Sequence, residues 1–182
     1  MNILTFNGSP RKTGNSTNLL SEFSDIATRS GHTVYSIDRL HSCTHCSACH
    51  KTGICTLKDS FESLSIPVHD VDIVIIASPL HFFSLTPKAL SFLTRFYPYD
   101  MSNIVFGLIL SSGSDFDDSG VSLVINQFKS IDNYCGSFTV PPYHKVTYDK
   151  IWNVSELDTE GLRQLLYRLE NAVRIRGVSS ED

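Results

Sequence analysis

The chain has 182 residues, which is enough for one well-buried α/β domain and too few for two. Hydrophobic residues make up 41% and charged residues 19%, an ordinary globular composition that excludes a disordered chain. The formal net charge is −4, so we do not expect a nucleic-acid partner, whose groove would need a basic patch.

Five short apolar runs are predicted to be strands: Asn2–Phe6, Thr33–Asp38, Asp72–Ala77, Asn103–Ser111 and Gly136–Val140. The runs Ile73–Ile76 and Ile104–Leu110 show no polar alternation, so we expect both faces of these strands to be buried. Continuous apolar strands are typical of a parallel sheet that is covered by helices on both faces.

Four amphipathic segments are predicted to be helices: Thr17–Ser30, Pro87–Phe96, Ser119–Asn133 and Thr159–Arg176. Thr86 and Asp158 precede two of them as candidate N-caps. The alternation of strands and helices predicts a single doubly wound α/β sheet with right-handed crossovers.

The start of the chain does not have the pattern of a signal peptide, because Arg11 and Lys12 come after the first apolar run and not before it. The longest apolar stretches have the length of strands and are far shorter than a membrane span. We therefore expect a cytoplasmic protein without a membrane partner, in which the thiols stay reduced.

A glycine- and serine-rich segment, NGSPRKTGNST at residues 7–17, joins the first strand to the first helix. Ligands of open parallel sheets bind beyond the carboxyl ends of the strands, and a helix N-terminus offers free amides to an anion. Asn15 stands where a G-x-x-x-x-G-K-[ST] loop needs lysine, and no G-x-G-x-x-G occurs. The segment is predicted to be a phosphate site of another kind; a simple turn that caps the helix is the alternative.

Four of the five cysteines lie within thirteen residues with the spacing C-x2-C-x2-C-x5-C: Cys43, Cys46, Cys49 and Cys55. This spacing is similar to that of iron–sulfur segments, whereas zinc sites more often use two separated pairs. Three interpretations stay open: an iron–sulfur cluster, a zinc or metal-free segment, and redox-sensing thiols. Cys135 stands apart and is interpreted as a small apolar residue.

Taken in order, these motifs resemble the flavodoxin-like FMN reductase family, the NAD(P)H-dependent flavoproteins. Its members carry N-G-S-P-R-x-x-G-N-[ST], here Asn7–Ser16, and C-x2-C-x2-C-x3-G-x-C, here Cys43–Cys55. A strand ending in G-S-P-x-Y-x-x-x-[ST]-x-x-[ML]-K follows, here Ala77–Lys88. The four-cysteine spacing is that of the iron–sulfur flavoprotein branch, whose members hold FMN and a [4Fe–4S] cluster.

The resemblance implies one flavodoxin-like, FMN-binding domain over residues 1–182, with a five-stranded parallel sheet, helices on both faces and a cysteine-rich insertion at about residues 41–58. His81 stands where the family usually has an aromatic residue such as tyrosine, and it could either donate to the flavin or fill space. His45 replaces a glycine that is common in the family, which predicts a strained turn.

The same resemblance implies three groups of flavin contacts. The FMN phosphate would be held by Ser9, Arg11, Asn15, Ser16 and Thr17, and the ring edge and ribityl chain would lie along Pro79, Leu80, His81 and Phe82. The other side of the ring would be closed by Ser112, Gly113 and Ser114. The cluster ligands are Cys43, Cys46, Cys49 and Cys55. We expect Phe83 and Phe92 to pack in the core.

The implied activity is FMN-dependent oxidoreduction, with NAD(P)H as co-substrate and a quinone, flavin, azo or nitro compound as acceptor. No side-chain nucleophile is expected, because the flavin ring carries the hydride. The alternative is an electron carrier that uses FMN and the cluster with partners such as ferredoxin; a flavin-free thiol or zinc protein is a third class. The family also implies a homodimer or homotetramer, and Phe96–Tyr99 is expected to supply exposed interface aromatics.

Overall fold

A parallel β-sheet separates two layers of helices in the computed structural model, which describes residues 1–37, 39–147, 151 and 156–178. The strands are β1 (Asn2–Asn7), β2 (Thr33–Ile37), β3 (Ile73–His81), β4 (Ser84–Leu85), β5 (Val105–Ser112), β6 (Phe138–Thr139) and β7 (Tyr143–Val146). The parallel order is β2-β1-β3-β5-β6; β7 also pairs with β5, and β4 runs antiparallel to β3. This is the flavodoxin-like order, which confirms the predicted fold class.

The helices are α1 (Asn15–Arg29), α2 (Ala48–Thr52), α3 (Pro87–Thr94), α4 (Val121–Cys135) and α5 (Thr159–Val178), with a 3₁₀ turn at Val68–Asp70. The four long helices fall within a few residues of their predicted bounds. Both predicted caps are confirmed, since Thr86 Oγ1 accepts from Ala89 N at 3.2 Å and Asp158 Oδ1 accepts from Gly161 N at 3.0 Å. The predicted end of β2 at Asp38 lies outside the described residues.

Two apolar layers, one on each face of the sheet, form the core. Successive strand residues point to opposite faces, so Ile3 and Ile75 pack toward α1 and α5 while Phe6 packs toward α3 and α4. The ring of Phe6 stacks on Phe92 with centroids 4.2 Å apart. Burial of one such ring stabilises the fold by about 1.5–3 kcal/mol. Phe92 is fully buried, as predicted.

Two short strands, not one, fill the fifth position of the sheet. β6 pairs with Val105 and Phe106, and β7 pairs with the other end of β5 from Ile109 onward. Pro141 and Pro142 lie between them, and proline has no N–H with which to continue a ladder. The predicted strand Gly136–Val140 therefore contained β6, and it missed β7.

In the described part of the chain, no helix is both long enough and apolar enough to cross a bilayer.

Candidate functional site

A cleft of about 300 Å³ opens at the carboxyl edge of the sheet, beside the ends of β1, β3 and β5. Its lining consists of Ser9, Pro10, Arg11, Gly14, Asn15, Ser16, Pro79, Leu80, His81, Ser111, Ser112, Gly113, Thr147 and Ile151. The connections after β1 and β3 lead to helices on opposite faces of the sheet. Such a switch point is where sheets of this order bind their ligands.

The side chain of Asn7 braces the loop between β1 and α1. Its Oδ1 accepts from Ser9 N at 2.9 Å, and its Nδ2 donates to Thr17 Oγ1 at 2.9 Å. The Ser9 hydroxyl oxygen in turn accepts from Arg11 N at 3.2 Å. The loop is thus fixed by its own side chains, and Thr17, a predicted phosphate contact, is bound by Asn7 and does not line the cleft.

Gly8 permits a close approach between this loop and α3. A Cβ at Gly8 would lie 2.8 Å from the Cβ of Ala89 and 3.0 Å from the oxygen of Ala77. Gly8 N donates to that same oxygen at 2.7 Å. Since no side chain fits here, the glycine of the N-G-S motif is required by packing.

The first turn of α1 faces the cleft. Gly14, Asn15 and Ser16 line it, and this turn carries no acidic residue. Ser16 is buried, and its hydroxyl lies 3.2 Å from that of Ser111 at the end of β5. Arg11, these hydroxyls and the amides at the N-terminus of α1 form a set of donors that fits a phosphate group.

The opposite wall is held by His144 of β7. Ser112 Oγ donates its one hydrogen to Ser114 O at 2.6 Å. In its 2.7 Å contact with His144, Ser112 Oγ is therefore the acceptor and His144 Nε2–H is the donor. Burial lowers the pKa of His144, although Asp115 acts in the opposite direction. The imidazole is therefore a neutral donor at pH 7.

A second contact fixes the same wall. Thr147 donates to Ser112 O through its amide at 2.7 Å and its hydroxyl at 2.9 Å. Ser112 and Gly113, two of the predicted flavin contacts, line the cleft. Ser114, the third, is not part of its lining, and its carbonyl oxygen accepts a hydrogen bond from Ser112 Oγ. Sequence reasoning missed His144 and Thr147 because they lie on or after β7, a strand that it did not predict.

The third wall is the β3–β4 hairpin. Pro79, Leu80 and His81, three of the predicted flavin contacts, line the cleft. Phe82 and Phe83 form the turn with φ of 49° and 64°, as in a type I′ turn, which places both side chains beyond the sheet. Phe82 is 95% exposed and lies outside the cleft lining. Phe83 is 52% exposed, so the prediction that it packs in the core is wrong.

All four clustered cysteines border one small cavity of about 40 Å³. The backbone turns tightly there, with His45 and Ser47 at φ of 52° and 59° before α2. The left-handed conformation costs a residue with a side chain about 1–2 kcal/mol, which accounts for the glycine that the family prefers at position 45. His45 thus occupies a strained turn, as predicted.

The thiol of Cys46 is exposed, and its pKa is lowered by hydrogen bonds from the backbone of Ala48 and from the side chain of Thr56. A four-thiolate set is chemically suited to a soft metal or an iron–sulfur cluster. Among the described residues, however, there is no group of three or more His, Cys, Asp or Glu side chains placed so that it could hold a metal ion. The metal site stays a prediction.

The strand order and the position of the cleft define a flavodoxin-like α/β protein. Residues 1–148 match the family described as NADPH-dependent FMN reductase, and the chain belongs to that family. This membership supports flavin binding.

A curated relative is the iron–sulfur flavoprotein of Archaeoglobus fulgidus, 32% identical over 96 residues. The match covers 50% of this chain and 44% of the relative, so it spans less than half of that protein. The NAD(P)H:quinone oxidoreductase of Methanothermobacter marburgensis has a TM-score of 0.62 at 15% identity over 96% of each chain. A flavodoxin of Streptococcus pneumonia TIGR4 has a TM-score of 0.59 at 19% identity, covering 94% of this chain and 99% of its own. These two solved structures are similar to the chain in fold.

Proposed function

We propose that the protein binds FMN in the cleft and passes electrons from NAD(P)H to a small acceptor, a quinone, free flavin, azo or nitro compound. The observation that carries this proposal is that the loop between β1 and α1, which offers donors to an anion, and the residues at the end of β5 line one cleft. The chain that forms this cleft belongs to the FMN reductase family. FMN, when bound, supplies the hydride chemistry.

The residues of the chain divide the work of binding. Arg11, Ser9 and the first turn of α1 would hold the phosphate, because they supply the positive charge and the donors. Leu80 and Pro79 would offer an apolar edge to the ring, and Ser112 and Gly113, at the end of β5 and just after it, would line another side of its site. We assign no catalytic side chain, since these residues bind and orient a cofactor that carries the reacting atoms.

An FMN titration followed by fluorescence tests this assignment. Arg11→Gln removes the guanidinium that faces the cleft, and a charged hydrogen bond is worth about 1.5–3 kcal/mol, so FMN affinity should fall at least tenfold. Arg29→Gln is the matched control, since Arg29 is exposed and pairs with Glu22 at 3.6 Å, on the far end of α1. Equal affinities of wild type and Arg11→Gln would place the phosphate elsewhere.

We further propose that Cys43, Cys46, Cys49 and Cys55 hold a [4Fe–4S] cluster, which would let the protein act as an electron carrier with a partner such as ferredoxin. Two facts favour this second function: the four cysteines border one cavity, and the Archaeoglobus fulgidus relative is named an iron–sulfur flavoprotein. A reducing cytoplasm, the compartment that we propose, keeps the thiols available.

Anaerobic reconstitution with iron and sulfide tests the cluster. We expect about four irons per chain. Cys46→Ser should remove the iron and leave FMN affinity unchanged, with Cys135→Ser as the matched control. Reconstituted protein without iron would contradict the cluster and leave the FMN proposal standing.

We also propose that a second copy of the chain covers the groove between the end of α3 and α4, in a homodimer or homotetramer. The groove measures about 890 Å³, and Tyr97 and Tyr134 at its edge are 60% and 81% exposed. Phe96 is fully buried, so its predicted part in an exposed aromatic patch is wrong. Light scattering should give at least twice 20.3 kDa, and Tyr134→Asp should shift the protein to monomer.

A further inference from the structure

The two ends of the cysteine segment meet at a buried arginine. Arg95, which follows α3, has a side chain that is 1% exposed, and its partner Asp59 is fully buried. Arg95 Nη1 donates to Asp59 Oδ2 at 2.5 Å and to the carbonyl oxygen of His41 at 3.2 Å. Its Nη2 donates to Glu62 at 3.3 Å. One guanidinium therefore contacts the chain on both sides of the segment.

Asp59 also connects the two sides of the segment, because it accepts hydrogen bonds from backbone amides on each side. Its Oδ2 accepts from His41 N at 2.8 Å, and its Oδ1 accepts from Phe61 N at 3.1 Å. Beside it, Arg39 and Ser60 exchange two hydrogen bonds, at 3.0 and 3.2 Å. Residues 42–58, which contain all four clustered cysteines, thus leave and rejoin the body of the protein at one point.

The segment has little else to hold it. α2 buries none of its residues, and its His50 ring meets only the exposed ring of Tyr97, edge-on at 5.0 Å, among the described ring contacts. The contact between the hydroxyls of Ser42 and Ser91, at 3.0 Å, is also exposed. A short helix without a buried face gains little from apolar packing. The buried anchor among the described contacts is therefore the Arg95 and Asp59 pair.

A buried ion pair is a poor source of stability compared with apolar packing, but it imposes a defined geometry. The guanidinium of arginine presents five N–H donors in a rigid planar fork, whereas the ammonium of lysine is a compact charge with three rotatable donors. The guanidinium is itself fixed by the ring of Phe61, whose centroid lies 5.0 Å away. These features suit a role in which position matters more than stability.

We propose that Arg95 is a positioning residue that closes the segment of residues 42–58 and so sets where its four thiols lie. Because the arginine directly follows α3, it also fixes the segment relative to the helix that contacts the FMN loop at Gly8. The consequence for the thiols rests on the proposed metal site, whereas the closure of the segment does not.

Hydrogen exchange of FMN-loaded, metal-free protein tests the closure. In Arg95→Met, exchange across residues 40–62 should accelerate at least tenfold, while exchange in β1, β3 and β5 stays as in wild type. Arg95→Lys should recover only part of the protection, because it keeps the charge and loses the fork. Arg29→Met, the same change at an exposed arginine, should alter nothing in residues 40–62. If Arg95→Met fails to fold, Asp59→Asn makes the same test with an isosteric change.

Anaerobic titration with Co²⁺ tests the effect on the thiols. Wild-type protein should develop a thiolate-to-cobalt absorption band, and Arg95→Met should bind Co²⁺ at least tenfold more weakly at unchanged FMN affinity. A wild type without that band would overturn the metal site, and the exchange experiment would still decide the closure. Unchanged exchange in residues 40–62 overturns the closure, and unchanged Co²⁺ affinity overturns the positioning of the thiols.

Discussion

The hydroxyl of Thr86 donates a 2.6 Å hydrogen bond to the carbonyl oxygen of Gly8, while its oxygen caps α3 by accepting from Ala89 N. The start of α3 is therefore fixed against the loop proposed to hold the FMN phosphate. Arg95, just after the other end of this helix, donates to His41 and Asp59, the two residues that flank the cysteine segment. Because both contacts depend on α3, this helix sets the distance between the two proposed sites.

Thr86→Val should weaken both the helix and the FMN loop. Valine keeps the shape of threonine but loses the cap, which is worth about 1–2 kcal/mol, and the bond to Gly8. We expect urea unfolding to show about 2 kcal/mol of destabilisation and a fluorescence titration to show a several-fold loss of FMN affinity. Thr94→Val on the same helix is the control, because the hydroxyl of Thr94 is exposed and bonds only locally to Ser91. Equal stability of both variants would contradict the role of Thr86.

His144→Gln should remove one part of the pH dependence of stability. The folded-state pKa of His144 is lowered by burial, so the unfolded chain takes up its proton first, near pH 6.5. The stabilisation is complete above about pH 6.5 and falls as the pH drops toward the lower folded-state pKa. Urea unfolding between pH 5 and 8 should show this loss in wild type and in the exposed-site control His69→Gln, and its absence in His144→Gln.

Asp59→Asn should destabilise the protein at neutral pH but not in acid. Although burial acts to raise it, the pKa of Asp59 is lowered by hydrogen bonds from Arg95 and from the backbone of His41. The stability gained from its charge is complete above the unfolded-state pKa of about 3.9 and is lost as the pH falls through the lower folded-state value. Leaving Arg95 without this partner should cost about 3 kcal/mol, the low end for a broken buried pair, since Glu62 still accepts from it.

The stabilities of wild type and Asp59→Asn should thus begin to converge as the pH falls below about 4, and should become equal only below the folded-state pKa of Asp59. Asp70→Asn, at an exposed aspartate, is the control and should follow wild type at every pH. A difference between wild type and Asp59→Asn that persists in acid would show that the effect is not due to the charge.

The sequence predicts the centre of the sheet and the loop between β1 and α1 because their signals are local. β3 and β5 are continuous apolar runs, and the loop at residues 7–17 follows a strand directly. The prediction failed where the outcome depends on distant partners or unusual backbone. Arg95 and Asp59 lie 36 residues apart, and nothing local signals their pairing. The Phe82–Phe83 turn lacks the Asn-Gly pattern by which a type I′ turn is recognised.

β7 illustrates the same limit for the candidate site. Its sequence, Tyr143–Val146, follows two prolines and contains His144 and Lys145, so it has little of the apolar character of a buried strand. Its pairing with β5 places His144 against Ser112. The role of His144 beside the cleft therefore could not be predicted from the sequence, because it depends on the pairing of β7 with β5.

Anaerobic reduction of the purified protein, reconstituted with FMN, by NADPH or NADH tests the proposed oxidoreductase function. We expect FMN to bind with about one flavin per chain, its visible absorption band to bleach on addition of the nicotinamide, and a quinone to restore that band. Arg29→Gln should behave as wild type, whereas Arg11→Gln should require at least tenfold more FMN. A protein that binds no FMN, or whose bound FMN stays oxidised with both nicotinamides, would contradict the proposed function.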